Sequence, residues 1–318
     1  MIYSLNSLFK QVGLSRQGFH QMLHRQRRVG EQNAYLSVLI ARIRDEHPTL
    51  SSRAMYYKIR PEKMGRDAFE GLCASLGYQV ERKLNQRRTT DSTGVVRFDN
   101  LAKDVVPNGI NQLWSSDITY FEVSDRFYYL TFIIDNYSRR ILGHHVSERL
   151  FTEQTTLPAL QMALRMRKLG PGSNLIFHSD GGGQYYDKAF LSLTRKYGIR
   201  NSMCDTAWEN GMAERLNGVI KNNYLQFRSI TTLEELKKEV DRSVLLYNKE
   251  RPHKSLNYVT PIEYEKQVLP SHLKTTKREK NMKAVQAQKS SARALSGASP
   301  GKGPELPTHL PAYVSSNT

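Results

Sequence analysis

Three acidic residues stand where a carboxylate is costly to bury or close to a possible ligand. Asp117 lies inside a β-rich stretch, where an unpaired charge is unfavourable. Asp180 ends a predicted buried strand that begins at Leu175, and it precedes three glycines, which let a backbone approach a ligand closely. Glu214 falls on a predicted helix, away from its apolar face. Each acid also has a plain structural alternative as a hydrogen-bonded group, a helix cap or a surface charge.

Carboxylates from two strands and one helix can converge on divalent cations. Mg²⁺ prefers a few carboxylate oxygens together with water and phosphate oxygens. Two such ions about 3.5–4 Å apart can activate an attacking oxygen and stabilise a leaving one. The helical face of Glu214 also carries Asn217 and Lys221, at i+3 and i+7. We expect Lys221 to contact a DNA phosphate, with a surface ion pair as the alternative.

The elements that would position these acids form a mixed sheet with flanking helices. Alternating side chains predict three strands joined by short turns, which indicates an antiparallel meander. Further strands and helices then alternate along the chain, as expected for an α/β domain. The predicted strands are 112–123, 126–135, 139–147, 174–178 and 199–203, and the predicted helices are 153–168, 187–197, 209–227 and 231–249.

Two small helical units are predicted before this sheet. Helices at 4–11 and 15–27 flank a short turn, with Ser15 as the N-cap, which is typical of a helix-turn-helix. A related pair is predicted at 50–58 and 66–76, closed by Gly77 in the left-handed conformation. A plain helical hairpin with a solvated face is the alternative for the first pair. The candidate DNA contacts on its second helix are Arg16, Gln17, His20 and Gln21.

The charge distribution favours a nucleic acid as the partner. The 318 residues carry a formal net charge of +17, and the excess of Lys and Arg lies mainly before residue 101 and after residue 270. Such an excess releases counterions from a polyanion on binding. The two cysteines are far apart, and neither a signal peptide nor a long apolar run is present, which predicts a cytoplasmic protein without membrane spans.

Five motifs in order resemble the bacterial insertion-sequence transposases that have a retroviral-integrase-like core. The similarity covers about residues 109–265, and the helical units before it are similar to the DNA-binding regions of that family. The motifs are Trp114–Tyr120, Ile134–Arg139, His178–Tyr185, Asn210–Arg215 and Tyr247–Leu256.

The resemblance implies a ribonuclease-H-like α/β fold, a mixed five-stranded sheet preceded by small all-α helix-turn-helix units. It also implies that Asp117, Asp180 and Glu214, here called the acidic triad, bind Mg²⁺ or Mn²⁺, with two ions expected. Water would nick the element ends, and the freed 3′-hydroxyl would attack another phosphodiester. Further expected partners are a second copy of the chain and a product of an upstream reading frame.

Two departures from the family pattern concern the acidic triad. The 33 residues between Asp180 and Glu214 are slightly fewer than is usual, and Gly181 stands where a basic residue is common. Glu209 precedes Glu214 on the same segment and is the rival third acid, although a cap at the helix start is its natural role. Asp135 also matches a family position, but its setting predicts a turn acceptor or an arginine partner.

The domain organisation follows from these observations. We expect Arg251 and His253, in the last motif, to contact DNA phosphates, with a surface ion pair as the alternative. Two other functions remain open: a catalytically inactive or domesticated DNA-binding protein, and a nuclease of the ribonuclease H type. The predicted segments are a DNA-binding unit at 1–30, a second one at 31–80, a basic linker at 81–108, the catalytic core at 109–265 and a basic, largely disordered tail at 266–318.

Overall fold

A mixed five-stranded sheet organises the middle of the chain in a computed structural model that describes residues 4–80, 98–205 and 207–268. The strand order is β3-β2-β1-β4-β5. β2 is antiparallel to β1 and β3, whereas β4 is parallel to β1 and β5 is parallel to β4. The strands are β1 Leu113–Val123, β2 Arg126–Asp135, β3 Ile141–Ser147, β4 Ile176–Ser179 and β5 Arg200–Met203.

A tight hairpin fixes the register between β1 and β2. Its two turn residues, Ser124 and Asp125, have φ values of 49° and 60°. Two successive left-handed residues match the right-handed twist of the flanking strands. The resulting register places Asp117 opposite Phe132, so that the first acid of the triad lies on the central strand of the sheet.

Helices cover both faces of the sheet. Trp114 and Ile133 pack with helices α5 and α6, whereas Phe132 and Ile134 pack with α7 and α8. Successive side chains of a strand point to opposite faces, so β2 contributes to two separate cores. The helices are α5 Thr156–Arg167, α6 Lys188–Lys196, α7 Gly211–Asn223 and α8 Leu233–Lys249.

Gly143 allows α5 to lie directly against β3. A Cβ atom at this position would overlap the carbonyl oxygen of Ala159. Because the obstacle is backbone, no change of a neighbouring rotamer could relieve the overlap. Gly143 therefore sets the depth at which α5 packs on the sheet.

Four helices precede the sheet. Ser15 caps the second of them by accepting a 2.9 Å hydrogen bond from the backbone N–H of Gly18, as predicted. Gly77 follows the fourth with a φ of 75°, which confirms its predicted left-handed conformation. The helices are α1 Leu5–Gln11, α2 Arg16–Glu46, α3 Ser52–Ile59 and α4 Arg66–Ser75.

Helix α2 is longer than predicted. It was expected to span 15–27 but continues to Glu46, because Leu36, Ile40 and Ile43 form a buried stripe that packs against α3 and α4. Gly30 has open space around it, and an exposed glycine costs a helix only about 1 kcal/mol. The predicted division between 1–30 and 31–80 therefore lies inside one continuous helix.

Polar contacts fasten α2 and α3 to the sheet domain. His47 and the hydroxyl of Tyr224 share a 3.0 Å hydrogen bond, and Lys58 donates a 2.9 Å bond to the carboxylate of Glu250. The rings of Tyr57 and Tyr258 stack with centroids 4.2 Å apart. The end of the helical region and the sheet domain thus share an interface.

The predicted elements of the middle segment are all present, with shifts at their ends. The helix expected at 153–168 begins at Thr156, because Thr152–Gln154 forms a 3₁₀ turn. The helix expected at 209–227 spans Gly211–Asn223. Three antiparallel strands followed by two parallel ones, with helices on both faces, confirm the ribonuclease-H-like fold that the resemblance implies.

Two predicted segments lie mostly outside the described residues. Of the basic linker 81–108, the structure describes 98–108, and of the tail 266–318 it describes 266–268. The predictions for the remaining residues stay predictions. Across the described ranges, we find no helix with both the length and the apolar character needed to cross a membrane.

Candidate active site

Asp117 and Asp180 lie side by side on neighbouring strands. β1 and β4 run parallel, with Ser116 paired to Ser179. Asp117 is the next residue of β1, and Asp180 directly follows β4, so both acids come one step after the same aligned pair. Both side chains are partly buried. The parallel pairing of two strands thus brings together two acids that are 63 positions apart in the sequence.

The electrostatics of Asp117 show that the three acids of the triad converge. The pKa of Asp117 is raised to about 7, first by burial and then by the negative charges of Asp180 and Glu214. Hydrogen bonds from Ile118 and Asn217 oppose this rise. Burial also raises the pKa of Asp180. The site therefore concentrates negative charge that a cation would stabilise.

Helix α7 lies along β1 and holds it through a stripe of polar side chains. Asn210, just before the helix, donates a 2.9 Å bond to the carbonyl oxygen of Ser116, and Asn217 donates a 2.8 Å bond to Oδ2 of Asp117. Glu214 lies one turn from each of them on the same face. Because its neighbours on both sides contact β1 near Asp117, Glu214 faces the same region.

Lys221 extends this stripe by one further turn. Its ammonium donates to Oγ1 of Thr119 at 3.0 Å and to the carbonyl oxygen of Tyr120 at 3.1 Å. Burial lowers its pKa, whereas the charge of Asp117 raises it. The structure thus places a cation beside the acidic triad.

Glu209 has a different position from Glu214. Its Oε2 accepts a 2.8 Å hydrogen bond from the backbone N–H of Asp205, which ties the connection between β5 and α7. It is not among the charges that raise the pKa of Asp117. The carboxylate that converges with Asp117 is therefore that of Glu214.

The glycines after Asp180 form the backbone around its carboxylate. The backbone N–H of Gly182 donates a 3.2 Å bond to Oδ1 of Asp180. A Cβ atom at Gly181 would come within 2.5 Å of the side-chain end of Met203. Because the obstacle is the flexible end of a side chain, a change in the rotamer of Met203 would accommodate a Cβ atom at this position.

Tyr185 is a buried residue that the sequence analysis did not identify, and its hydroxyl contacts β1. The hydroxyl of Tyr185 shares a 2.9 Å hydrogen bond with Oγ of Ser116, and that oxygen donates to the carbonyl of Phe132 at 2.8 Å. Burial, followed by the charges of Asp180 and Asp117, raises the pKa of Tyr185. Tyr185 belongs to the motif His178–Tyr185, and this position in the motif was the sequence signal that could have identified it.

Asp135 is a structural acid, as predicted. Its carboxylate accepts backbone N–H bonds of 2.8, 2.9 and 3.0 Å from Asn111, Tyr137 and Ser138. Arg167 lies 3.4 Å away and also contacts Glu265. The group is fully buried and satisfied, so it is both a turn acceptor and an arginine partner.

The remaining predicted site residues lie apart from the acidic triad. The guanidinium of Arg251 lies 5.9 Å from the ring centroid of Tyr224. His253 packs edge-on against Tyr247, and burial, followed by the charge of Arg251, lowers its pKa to about 3. His253 is therefore neutral at pH 7. The candidate contacts of α2 are all exposed near its start, namely Arg16, Gln17, His20 and Gln21.

A separate group of possible metal ligands lies at the interface of α2 with the sheet domain. Among the described residues, Glu46, His47 and Glu250 alone bring three ligand atoms within 4.8 Å of one another. The ammonium of Lys58 is already 2.9 Å from the Glu250 carboxylate and supplies the positive charge there.

The carboxylate oxygens of the acidic triad are farther apart than the 4.8 Å that limits this group. The triad offers only carboxylate oxygens, which repel one another, and hard divalent cations such as Mg²⁺ prefer oxygen ligands of this kind.

Comparisons with known proteins place this geometry in a family. A family model described as "Integrase core domain" matches residues 107–207, and a second one with the same description matches residues 197–261. The two matches contain all three acids of the triad. They also include the polar stripe of α7 and the residues Arg251 and His253.

Relatives with curated names extend the similarity beyond this region. The "Insertion element IS600 uncharacterized 31 kDa protein" of Shigella sonnei is 27% identical over 262 residues, covering 79% of this chain and 95% of its own length. The "Transposase for insertion sequence element IS629", also of Shigella sonnei, is 29% identical over 242 residues, with 74% and 80% covered.

A solved structure is similar over the core. It is the catalytic core domain of HTLV-2 integrase in complex with magnesium, 21% identical, with a TM-score of 0.39, covering 49% of this chain and 96% of that one. The chain therefore carries an integrase core domain at residues 107–261 and is similar over most of its length to proteins of bacterial insertion sequences, including named transposases.

Proposed function

We propose that the chain cleaves and joins DNA strands at the ends of an insertion sequence, in a reaction that requires a divalent cation at Asp117, Asp180 and Glu214. The observation that carries the proposal is the convergence of three carboxylates, two of which raise the pKa of the third. A protein that only bound DNA would gain nothing from such repulsion. Perturbed acids in this arrangement are typical of catalytic sites.

The three acids would hold Mg²⁺ or Mn²⁺, and their spread favours two ions over one. When bound, such ions supply Lewis-acid activation of an attacking oxygen and stabilisation of the leaving one. The chain's own residues orient the ligands: Asn217 holds Oδ2 of Asp117, and the N–H of Gly182 holds Oδ1 of Asp180. Hydrogen bonds of this kind fix the direction in which a metal ligand points.

Two reactions would follow at this site. In the first, water attacks a phosphodiester at the element end, the bond to the 3′-oxygen breaks, and a 3′-hydroxyl is released. In the second, that hydroxyl attacks a phosphodiester of the target, so that one bond forms for each bond broken. The joining step distinguishes the proposal from a nuclease of the ribonuclease H type, which would stop after hydrolysis.

Positioned cations would hold the DNA. Lys221 is tied to Thr119 and Tyr120 and supplies a fixed positive charge next to the acids. At the start of α2, Arg16, Gln17 and His20 are exposed and can reach a groove or phosphates. We extend the proposal to residues 1–80 as the DNA-binding part. We also expect a cytoplasmic homo-oligomer, because two DNA ends must be joined.

Substitution of the acids tests the proposal. Asp117→Asn, Asp180→Asn and Glu214→Gln should reduce metal-dependent cleavage of DNA carrying the element ends to background, while DNA binding persists. Glu209→Gln is the matched control, since its carboxylate ties a loop and is expected to leave cleavage near the wild-type level. Unaltered cleavage in the Asp117→Asn variant would overturn the assignment.

A thermal measurement gives a second readout that does not depend on activity. Asp117→Asn removes a partly buried charge from a repulsive cluster, so the metal-free variant should melt at a higher temperature than the wild type at pH 8. Mn²⁺ should raise the melting temperature of the wild type more than that of the variant, because a ligand stabilises only the state that binds it. An equal Mn²⁺ response would contradict metal binding at Asp117.

A further inference from the structure

A second charged feature lies on the other side of α7 from β1. A cleft of about 640 Å³ separates residues 49–54 from α7 and from the segment 251–258. Four cationic side chains line it: Arg139, Arg215, Arg251 and Lys254. No Asp or Glu is among its lining residues within the described parts of the chain. We call this feature the basic cleft.

The cations of the basic cleft lack carboxylate partners. In the described ranges, no acidic oxygen lies within 4.0 Å of a side-chain nitrogen of any of the four. The neighbouring Arg140, in contrast, lies 2.6 Å from Glu265. The guanidinium of Arg139 instead meets the sulfur of Met212, at 2.8 Å. Arg139 and Arg251 are partly buried, and a partly buried cation is costly unless an anion joins it.

The positive charges of Arg139, Arg215 and Arg251 all act on the imidazole ring of His253. The pKa of His253 is lowered to about 3 by burial, then by Arg251 and, more weakly, by Arg139 and Arg215. Burial also lowers the pKa of Arg139, and Arg215 adds to this. The positive potential inside the cleft therefore comes from side chains of three separate chain segments.

Arg139 ends the turn between β2 and β3 in a left-handed backbone conformation. Its φ is 61°, in the left-handed region that residues with a Cβ rarely adopt. Strain of this kind persists where the surroundings enforce it and is concentrated at functional sites. The backbone N–H of Arg139 closes the turn with a 2.8 Å bond to the carbonyl oxygen of Asp135, and its side chain lines the cleft.

From this geometry we propose that the basic cleft binds backbone phosphates of DNA. Guanidinium groups pair with phosphate oxygens in a bidentate manner, and four cations on several segments suit a chain of phosphates better than a single anion. Arg215 follows Glu214 on α7 but points to the other side of that helix, so DNA in the cleft would be held across α7 from the acidic triad. This proposal rests on the proposed function, since it specifies how the substrate is held.

Charge-neutralising variants test the cleft. Arg215 and Lys254 are exposed, so Arg215→Gln and Lys254→Gln, singly and together, are expected to fold. Binding of a fluorescent double-stranded DNA fragment is measured by anisotropy in EDTA at several salt concentrations. The slope of log Kd against log[salt] should fall by about 0.9 for each phosphate that the variant no longer neutralises, and hence by about 2 in the double variant.

A matched control separates the cleft from net charge. Lys237→Gln on α8 also removes one positive charge, but Lys237 is half-exposed, paired with Glu234 at 2.9 Å, and absent from the cleft. Its salt slope should equal that of the wild type. The proposal is overturned if the double variant keeps the wild-type slope, or if Lys237→Gln lowers the slope as much as Arg215→Gln.

A cross-linking experiment tests the position directly. Ser255 is exposed and lines the cleft, whereas Ser192 is exposed on α6 at the opposite face of the sheet, and both native cysteines are buried. DNA that carries a maleimide on a backbone phosphate should react with the Ser255→Cys variant and not with Ser192→Cys. Failure to cross-link, combined with protection of Ser255→Cys by inorganic phosphate, would assign the cleft to small anions and overturn the proposal.

These results are independent of those that test catalysis. Binding is measured without metal, so an Asp117→Asn variant that still cleaves DNA would contradict the proposed function and leave the salt slopes unchanged. Conversely, an unaltered salt slope in the Arg215→Gln and Lys254→Gln double variant would remove the cleft from the mechanism and leave the acidic triad in place.

Discussion

The side-chain amide of Asn217 donates a 2.8 Å hydrogen bond to Oδ2 of Asp117, across the contact between α7 and β1. The two residues are 100 positions apart in the sequence. Asn217 is buried, and the bond lowers the pKa of Asp117 against the larger effect of burial. One amide therefore orients the carboxylate and also favours its ionised form.

Replacement of Asn217 by alanine should impair catalysis without removing a proposed metal ligand. We expect Asn217→Ala to reduce metal-dependent cleavage by about 10- to 100-fold, the usual range when a group that orients a metal ligand is removed. The measurement is initial cleavage rate against Mn²⁺ concentration, with Asn222→Ala as the control because Asn222 is exposed on the same helix. Equal rates for both variants would exclude an orienting role.

The stability of the chain should fall in mild acid because of His47. Burial, followed by the charges of Lys58 and Arg251, lowers the pKa of His47 to about 4, while Glu250 opposes the shift. Between pH 6.5 and 4 the unfolded chain therefore binds more protons at this position than the native protein. The contribution of His47 is fully present above about pH 6.5 and is lost as the pH falls towards 4.

A variant that cannot titrate isolates this effect. His47→Asn keeps a polar atom near the Tyr224 hydroxyl, so its stability should fall less than that of the wild type between pH 7.5 and pH 5. The expected difference is about 2 kcal/mol at pH 5, from the pH dependence of a group with an ordinary pKa near 6.5 in the unfolded chain. Urea unfolding at both pH values measures it, and parallel losses would exclude His47 as the cause.

Gly143 should not tolerate a side chain. Gly143→Ala would force apart β3 and α5, because the added Cβ meets the backbone oxygen of Ala159. We expect a loss of about 3 kcal/mol in the free energy of unfolding, the upper range for overpacking. Gly71→Ala is the control: Gly71 lies in α4 with open space around it, and the change should stabilise by about 0.5–1 kcal/mol. A tolerated Gly143→Ala would show that α5 can shift freely.

The order of elements was predictable because local pattern determines it. Alternating residues in 126–135 predict β2, and the switch to helical spacing after residue 209 predicts α7. The end of α2 was not predictable in this way. Its continuation depends on the burial of Leu36, Ile40 and Ile43 against α3 and α4, which is a tertiary contact rather than a local preference.

The candidate site shows the same division. Motifs identify Asp117, Asp180 and Glu214, because their neighbours in sequence are distinctive. The basic cleft could not be found from the sequence, since Arg139, Arg215 and Lys254 belong to three separate segments that come together only in the fold. Nor does sequence distinguish Arg140, which is paired with Glu265, from Arg139 beside it, which contacts the sulfur of Met212 and has no carboxylate partner among the described residues.

The stripe of α7 determines where insertions and deletions can be tolerated. One residue added between Glu214 and Asn217 would turn the following side chains by about 100°, which would carry Asn217 and Lys221 away from β1. The connection between β5 and α7 precedes this stripe, and in its described part the carboxylate of Glu209 accepts a hydrogen bond from the backbone N–H of Asp205. A change of length before residue 210 would, in contrast, leave the rotation of the helix untouched.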